Sequence, residues 1–445
     1  MRPVLTAAQA AGYAPDEVLH WTGRAGAETV DVWEPWASAA LNRAAPPDLS
    51  VPAGGDVQAT VNAAVALAEN GFRGPLRIAL EPGRYDGPVI LPALPGVALC
   101  LYGTGSGVEI AAAIDAEMPG AEYAARFLPM FDGAPPQIRA IAEAIAAKDK
   151  IGTDSTAVLR VTGDRTELRN LSVVNTYNVD RAEASGAEAP NARGQFAKGQ
   201  HQAVALMIHG ADRVHVQGVT LTSYQDTLYL KVPADGIVTR ACFEDCAIAG
   251  DVDFIFGQMA ALFLRCRITS RGGRAPMSWV TAPSTALRAK FGFVFHDCDF
   301  VHDGSPEALA GRFKLGRQWF EWVRATPFGV SPVPGYRCDL AETSFYDPPV
   351  GGISRKTLES VGKVAILNSR IGPHIDAADP WDSWNGASHP DGSPIWAPRY
   401  RPPLYRAGDM LGPLEGWLAA QGLDYGDIDP ETPWLAEYGS DGPHM

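Results

Sequence analysis

The sequence predicts an all-β fold, a parallel β-helix with an N-terminal helical cap and long loops, and three observations lead there. First, 445 residues carry 46 Gly and 36 Pro with 46% apolar residues, a balance that suits turn-rich β structure better than a helical bundle. Second, from Thr156 onward the chain runs in short Val-, Ile- and Phe-rich pieces punctuated by Gly, Asn and Asp, as strands separated by turns do. Third, the pieces repeat. LRNLSVVN, VQGVTLTS, FEDCAIAG, LRCRITS, HDCDFV, AETSFYD and LNSRIGP share a polar residue, then a small or apolar one, then an alternating strand. This makes Leu171, Val219, Cys246, Cys266, Cys298, Thr343 and Ser369 equivalent. Turns of a solenoid repeat in this way, because no turn buries its inner face without the next; a β-sandwich is the competing fold.

Residues 1–55, rich in Ala, Pro and Trp without sustained periodicity, read as an N-terminal arm or cap. Residues 56–445 then form one β-helix domain with a C-terminal extension packing on it. Asp56–Asn70 places apolar residues at helical spacing and Gly71 stops it. LRIAL (76–80) and PVILPA (88–93) read as strands, with PGRYDG (82–87) as turn material. Residues 136–149 predict a second helix inside an excursion over about 110–155.

The balance of 37 basic and 51 acidic residues, net −14, argues against nucleic acid or an anionic membrane as the target. No apolar run of transmembrane length occurs, and no signal peptide is visible, since Met1–Gly12 lacks an apolar h-region. The cysteines have no metal-ligand spacing, so neither metal nor cofactor is expected. Cys246 and Cys266, one turn apart, could form a disulfide or serve as reduced apolar fillers.

GTGSG (103–107) fits neither a nucleophile elbow nor a dinucleotide loop, and His201, His209 and His215 around one strand read as structural. Chemistry points instead to HQAVAL (201–206), YQDTLY (224–229), GDVDFIFG (250–257) and LGRQW (315–319). On adjacent turns about 4.8 Å apart, Asp226 and Asp253 would face each other. Arg317 would keep one ionised while apolar walls raise the pKa of the other, giving a nucleophile and a proton donor. Gln202 and Gln225 supply amide donors for an oxyanion, which favours acyl transfer over glycoside hydrolysis.

These motifs, with PGRYDG, TAVLRVTGDRTELRNLSVVNT (156–176), VTAPST (280–285), GFVFHDCDF (292–300) and WDSW (381–384), resemble the pectin methylesterases, the family-8 carbohydrate esterases, and most closely their bacterial branch. The resemblance runs from about Asp56 to Trp384. It implies a right-handed parallel β-helix acting as a secreted or periplasmic monomer on pectin (homogalacturonan). Asp253 would attack the C6 methyl ester, Asp226 would act as acid and then base, Gln202 and Gln225 would bind the oxyanion, and Arg317 would fix Asp253. Tyr229, Phe256 and Trp319 would line sugar subsites, and Cys246 and Cys266 would match a bridged pair. The chain departs from the family pattern at Gln318 where Pro is usual, at Met207 in place of a common Arg, at Gly87 in place of a Glu, and in a longer span between Asp226 and Asp253. Competing readings are an esterase or thioesterase on another acyl group, and a carbohydrate-binding β-helix with a decayed site.

Overall fold

The computed structural model describes residues 4–37, 45–177, 202–319, 358–384, 387–388, 394–395, 403–420 and 422–442. Three parallel sheets run along it, a first of ten strands and a second and third of eight each. Each turn visits them in that order: Val214–Gln217, Thr220–Thr222 and Leu228–Lys231 are followed by Arg240–Glu244, Ala247–Gly250 and Ile255–Gly257. Strands of successive turns pair in parallel in all three sheets. This is the predicted parallel β-helix.

The corner from the first to the second sheet explains the sequence repeat. One residue per turn takes a left-handed conformation there: Asn170 (φ 50°), Gly218 (63°), Asp245 (53°), Arg265 (54°), Asp297 (56°) and Asn368 (49°). Gly, Asn and Asp tolerate this region best, which is why the repeat opens on them. Arg265 is the outlier in type, and its guanidinium bonds Asp245 at 2.9 Å and Glu244 at 2.6 Å on the preceding turn. The next residue of each turn is buried, and the strand registers stack Leu171, Val219, Cys246, Cys266, Cys298 and Ser369 in one column. Thr343 lies outside the described residues.

The implied disulfide is absent. Cys246 and Cys266 are neighbours in that column but both are free, buried thiols. The Cys246 Sγ lies 3.3 Å from the Val216 carbonyl and the Cys266 Sγ 3.4 Å from that of Phe243, so each thiol serves as a weak donor to the corner backbone instead of joining its neighbour. The reduced-filler alternative describes the pair.

The interior is filled turn by turn. Phe243, Phe263 and Phe295 stack at centroid distances of 4.9 and 4.5 Å, and Val173, Leu221, Ile248, Ile268 and Phe300 do the same in the second sheet. Helix Val57–Glu69 closes one end, capped by the Asp56 carboxylate on the Ala59 amide at 2.9 Å, and buries Val57, Val61 and Val65 in the core. PGRYDG is not simply turn material: Gly83–Asp86 is the first strand of the second sheet. The second helix spans Pro136–Ala146. Strand Leu49–Val51, within the stretch read as arm, already edges the first sheet.

Ahead of it, helices Ala7–Ala11 and Pro15–Leu19 and the hairpin Trp21–Arg24/Ala27–Val30 lie on the outer face of the first sheet. There Leu5, Val18 and Leu19 cover Cys242, Leu262, Val294 and Ala365. At the other end helix Ala407–Ala420 packs Met410 and Leu414 against Leu287, Val361 and Trp434, and strand Leu435–Tyr438 finishes the first sheet.

Candidate active site

The corner from the second to the third sheet gathers the residues singled out in the sequence. Gln225 and Asp226 precede strand Leu228–Lys231, and Asp253 precedes Ile255–Gly257. Because Leu228 is in register with Ile255, Asp226 and Asp253 hold the same position on consecutive turns, and the Asp226 amide donates to the Val252 carbonyl at 3.0 Å. Both have positive φ, 67° and 51°. A non-glycine residue pays for that conformation, so the surrounding turn must hold it. Gln202 bridges Gln225 in parallel, with the Ala203 amide on the Gln225 carbonyl at 3.0 Å. The two amides and the two carboxyls therefore share one corner.

The outer face of the third sheet supplies the walls. Met207, Tyr229 and Phe256 are register neighbours, followed by Ala282. Tyr229 and Phe256 stack at 4.2 Å, and Trp319 meets them edge-on at 6.5 and 5.8 Å. Arg317, on the strand Lys314–Arg317, binds Asp253 two turns away: Nε donates to Oδ1 at 2.9 Å and Nη2 to Oδ2 at 2.7 Å. This fork-to-carboxylate geometry fixes orientation as well as charge. The Arg317 guanidinium also lies over the rings of Trp279, at 4.1 Å, and Trp384, at 4.9 Å.

Burial and charge separate the two carboxyls. Asp226 is 7% exposed and Asp253 8%. Burial, and then the neighbouring charge of Asp253, push the Asp226 carboxyl well above the usual range, against a smaller opposing pull from Arg317. A proton held on Asp226 beside an Arg-paired carboxylate is the acid-plus-nucleophile arrangement of an acyl-transfer site.

Four residues of the site were not singled out from sequence. Trp279 and Trp384 sandwich Arg317, and the Trp279 indole donates to Asp382 at 2.9 Å; the only signal was the WDSW motif. Asp251 and Arg274 pair beside the Asp253 turn, and their link crosses between turns of the chain. The departures also find physical explanations. Gln318 is buried, donates to the carbonyls of Gly362 and Leu404 at 3.0 and 3.1 Å, and accepts from the Leu404 amide at 2.7 Å. It thereby ties the strand carrying Arg317 to the C-terminal extension. The longer Asp226–Asp253 span holds Ile237–Val238, which pairs with the N-terminal hairpin.

His209 contacts Arg160 at 3.3 Å, and burial lowers its pKa to about 4. His215 faces Glu244 at 3.2 Å. Both serve outside the site, and His201 lies outside the described residues. Among the described residues no three His, Cys, Asp or Glu side chains converge as metal ligands.

Comparison with known proteins points to one family. The Pectinesterase family model matches residues 130–328, which include Gln202, Gln225, Asp226, Asp253 and Arg317. Pectinesterase B of Dickeya dadantii is 30% identical over 402 residues, covering 85% of this chain and 82% of its own length. The rice weevil pectin methyl esterase structure superimposes with a TM-score of 0.68 at 21% identity, over 99% of this chain and 97% of that one. The Escherichia coli protein named "Putative acyl-CoA thioester hydrolase YbhC" is 28% identical over 302 residues, 62% of this chain and 65% of its own. Its crystal structure gives a TM-score of 0.69 at 22% identity over 99% of this chain and 94% of that one.

Proposed function

This chain belongs to the pectinesterase family of carboxylic ester hydrolases, and from that premise we propose that it cleaves C6 methyl esters of homogalacturonan by two-aspartate covalent catalysis. The observation that carries the proposal is the register match of Asp226 and Asp253 with Arg317 clasping the second.

An Asp253 carboxylate oxygen attacks the ester carbonyl carbon, and the side-chain amides of Gln202 and Gln225 stabilise the oxyanion that forms. The C6–OCH₃ bond breaks as Asp226 hands its proton to the departing methoxy oxygen, releasing methanol and leaving an acyl-Asp253 anhydride. Asp226, now a carboxylate, takes a proton from water as that water attacks the same carbonyl. Asp253 leaves as a carboxylate, and the sugar carries a free carboxyl. Trp319, only partly buried against the stacked Tyr229–Phe256 pair, would supply an apolar surface for a pyranose ring, with that pair backing it.

We further infer a monomer working outside the cytoplasm, without cofactor, on polysaccharide rather than nucleic acid or membrane. The net charge of −14 favours heavily esterified, nearly neutral pectin over its polyanionic product. Purified protein is expected to release methanol from highly methylated pectin, faster as methylation rises, while Asp253→Ala releases none. Equal release by the variant would sink the mechanism.

A second reading, hydrolysis of another acyl ester or thioester, draws on Met207. It sits buried in an apolar cluster with Val204, Tyr229 and Phe256, where the family commonly has Arg, so an apolar acyl chain is the ligand this change favours. Turnover of a small acyl thioester with no methanol from pectin would select that reading.

A further inference from the structure

Asp251 is completely buried two residues before Asp253 and is paired to Arg274, whose side chain is 4% exposed. The Arg274 fork donates Nε to Oδ2 and Nη2 to Oδ1, both at 2.6 Å. Burying both charges costs desolvation on each side, so a fold that keeps such a pair beside a reacting carboxylate calls for a physical account.

Its contacts provide one. The Asp251 carboxylate accepts the Val252 amide at 2.5 Å, and its carbonyl accepts the Ser278 hydroxyl at 2.6 Å and the Trp279 amide at 2.9 Å. Its own amide donates to Tyr224 at 3.0 Å, on the turn that carries Gln225 and Asp226. Arg271, in the same loop as Arg274, donates to the Ser223 carbonyl at 2.5 Å and lies 3.7 Å over the Tyr224 ring. Residues 271–278 thus grip the turns of both aspartates from the following turn of the solenoid.

We propose that Arg274 is a positioning residue for the esterase reaction: through its bidentate pair with Asp251 it locks the 251–253 turn and aims the Asp253 carboxylate at the ester carbonyl. This inference rests on the two-aspartate reading. Arg274 is turned into Asp251 and nearly sealed from solvent, so its part is played through another residue, not on substrate. The positive φ of Asp253 is the conformation that needs such a lock. The pair acts on the acid as well. Of the groups that face Asp226, Asp253 and Asp251 raise its pKa, and Arg317 and Arg274 lower it.

The test compares Arg274→Met, Arg274→Lys and the double variant Asp251→Leu/Arg274→Met, which leaves no unpaired buried charge and so guards against misfolding of the single variant. Two readouts are taken: kcat and KM for methanol release, and the pH midpoint of the protonated-carboxyl infrared band that Asp226→Asn removes. Arg274→Met is expected to lower kcat by about 10²-fold with KM little changed, as a small misplacement of a reacting group does. Its infrared midpoint should rise as the nearby cation is lost. Arg274→Lys should restore the midpoint but not kcat, because charge returns without the planar fork. The double variant should fold and share the kcat loss.

Unchanged kcat in folded Arg274→Met, or a rise in KM alone, overturns the proposal. A wild-type protein that releases no methanol brings down the functional reading instead. In that case the infrared midpoint still decides whether Arg274 reaches the Asp226 site.

Discussion

Asp226 and Asp253 stand in register on consecutive turns, and the Arg317 fork lies on the Asp253 carboxylate at 2.9 and 2.7 Å. The pairing leaves Asp226 as the member raised well above its ordinary 3.8, chiefly by burial. Between 3.8 and the raised value the folded protein holds a proton that the unfolded chain has released. Stability from this group therefore falls as pH rises through that window. Asp226→Asn mimics the protonated form at every pH. It should lower kcat by about 10²–10⁴-fold, the usual worth of a general acid, yet raise the denaturant midpoint at pH 7, with the gain shrinking toward pH 4. A midpoint at or below wild type at pH 7 would show that burial does not disfavour the charged carboxyl there.

Arg317 is expected to matter for stability as much as for rate. The Asp253 and Arg317 side chains are each 11% exposed, and removing one partner of such a pair costs about 3–5 kcal/mol by stranding the other charge. Arg317→Met should lower the denaturant midpoint accordingly, while Asp253→Leu/Arg317→Met should recover most of it with no activity. If the double variant is no more stable than the single, the loss comes from packing against Trp279 and Trp384 instead.

The solenoid was legible in the sequence because one geometric demand recurs on every turn. A left-handed corner followed by an inward side chain writes itself as Asn170–Leu171, Gly218–Val219, Asp245–Cys246 and Asp297–Cys298. The two aspartates were legible because they obey the same register. Apart from Arg317 on Asp253, what escaped were the links between separate turns: Arg274 to Asp251, Trp279 to Asp382, Gln318 to Leu404. Such partners share no local pattern, since their meeting depends on loops of unlike length. The state of the cysteine pair stayed open for a related reason: register brings Cys246 and Cys266 side by side, but the rotamer decides whether sulfur meets sulfur or a carbonyl.

The thiols make that choice measurable. Cys100, Cys242, Cys246, Cys266 and Cys298 are free and buried. Alkylation under denaturing, non-reducing conditions should label each of these five, and native protein should protect them. Protection of Cys246 and Cys266 that survives denaturation but not reductant would restore the bridge.

Trp319 should act on substrate binding. It stands edge-on to the stacked Tyr229–Phe256 pair at 6.5 and 5.8 Å, and losing one aromatic contact of this kind costs about 0.5–1.5 kcal/mol beyond area. Trp319→Ala is expected to raise KM for methylated oligogalacturonides by about three- to tenfold, with kcat nearly kept. A fall in kcat at constant KM would instead assign it to holding Arg317.

A buried cation helps to hold the N-terminal arm, beside Arg213, which also binds Asp31, and the pairing of the hairpin with Ile237–Val238. Arg240 is fully buried, with Nη2 at 2.6 Å from Asp212 and 2.7 Å from Asp31, and Nη1 on the carbonyls of Leu19 and Asp31 at 2.8 and 2.6 Å. One guanidinium thereby ties the arm to the strand Arg240–Glu244, beside the apolar face formed by Cys242, Leu262, Val294 and Ala365. Arg240→Met keeps the apolar stem but removes every one of these donors. Asp31 and Asp212 are partly exposed, at 35% and 21%, so they regain water and the cost falls below that of a fully buried pair, to about 2 kcal/mol. The arm should then loosen before the solenoid does. Limited proteolysis should cut between residues 20 and 36 at least several-fold faster than in wild type, and the clipped protein should aggregate through the uncovered face. Unchanged cleavage would mean that the Arg213–Asp31 pair, the hairpin pairing with Ile237–Val238 and the packing of Leu5, Val18 and Leu19 hold the arm without Arg240.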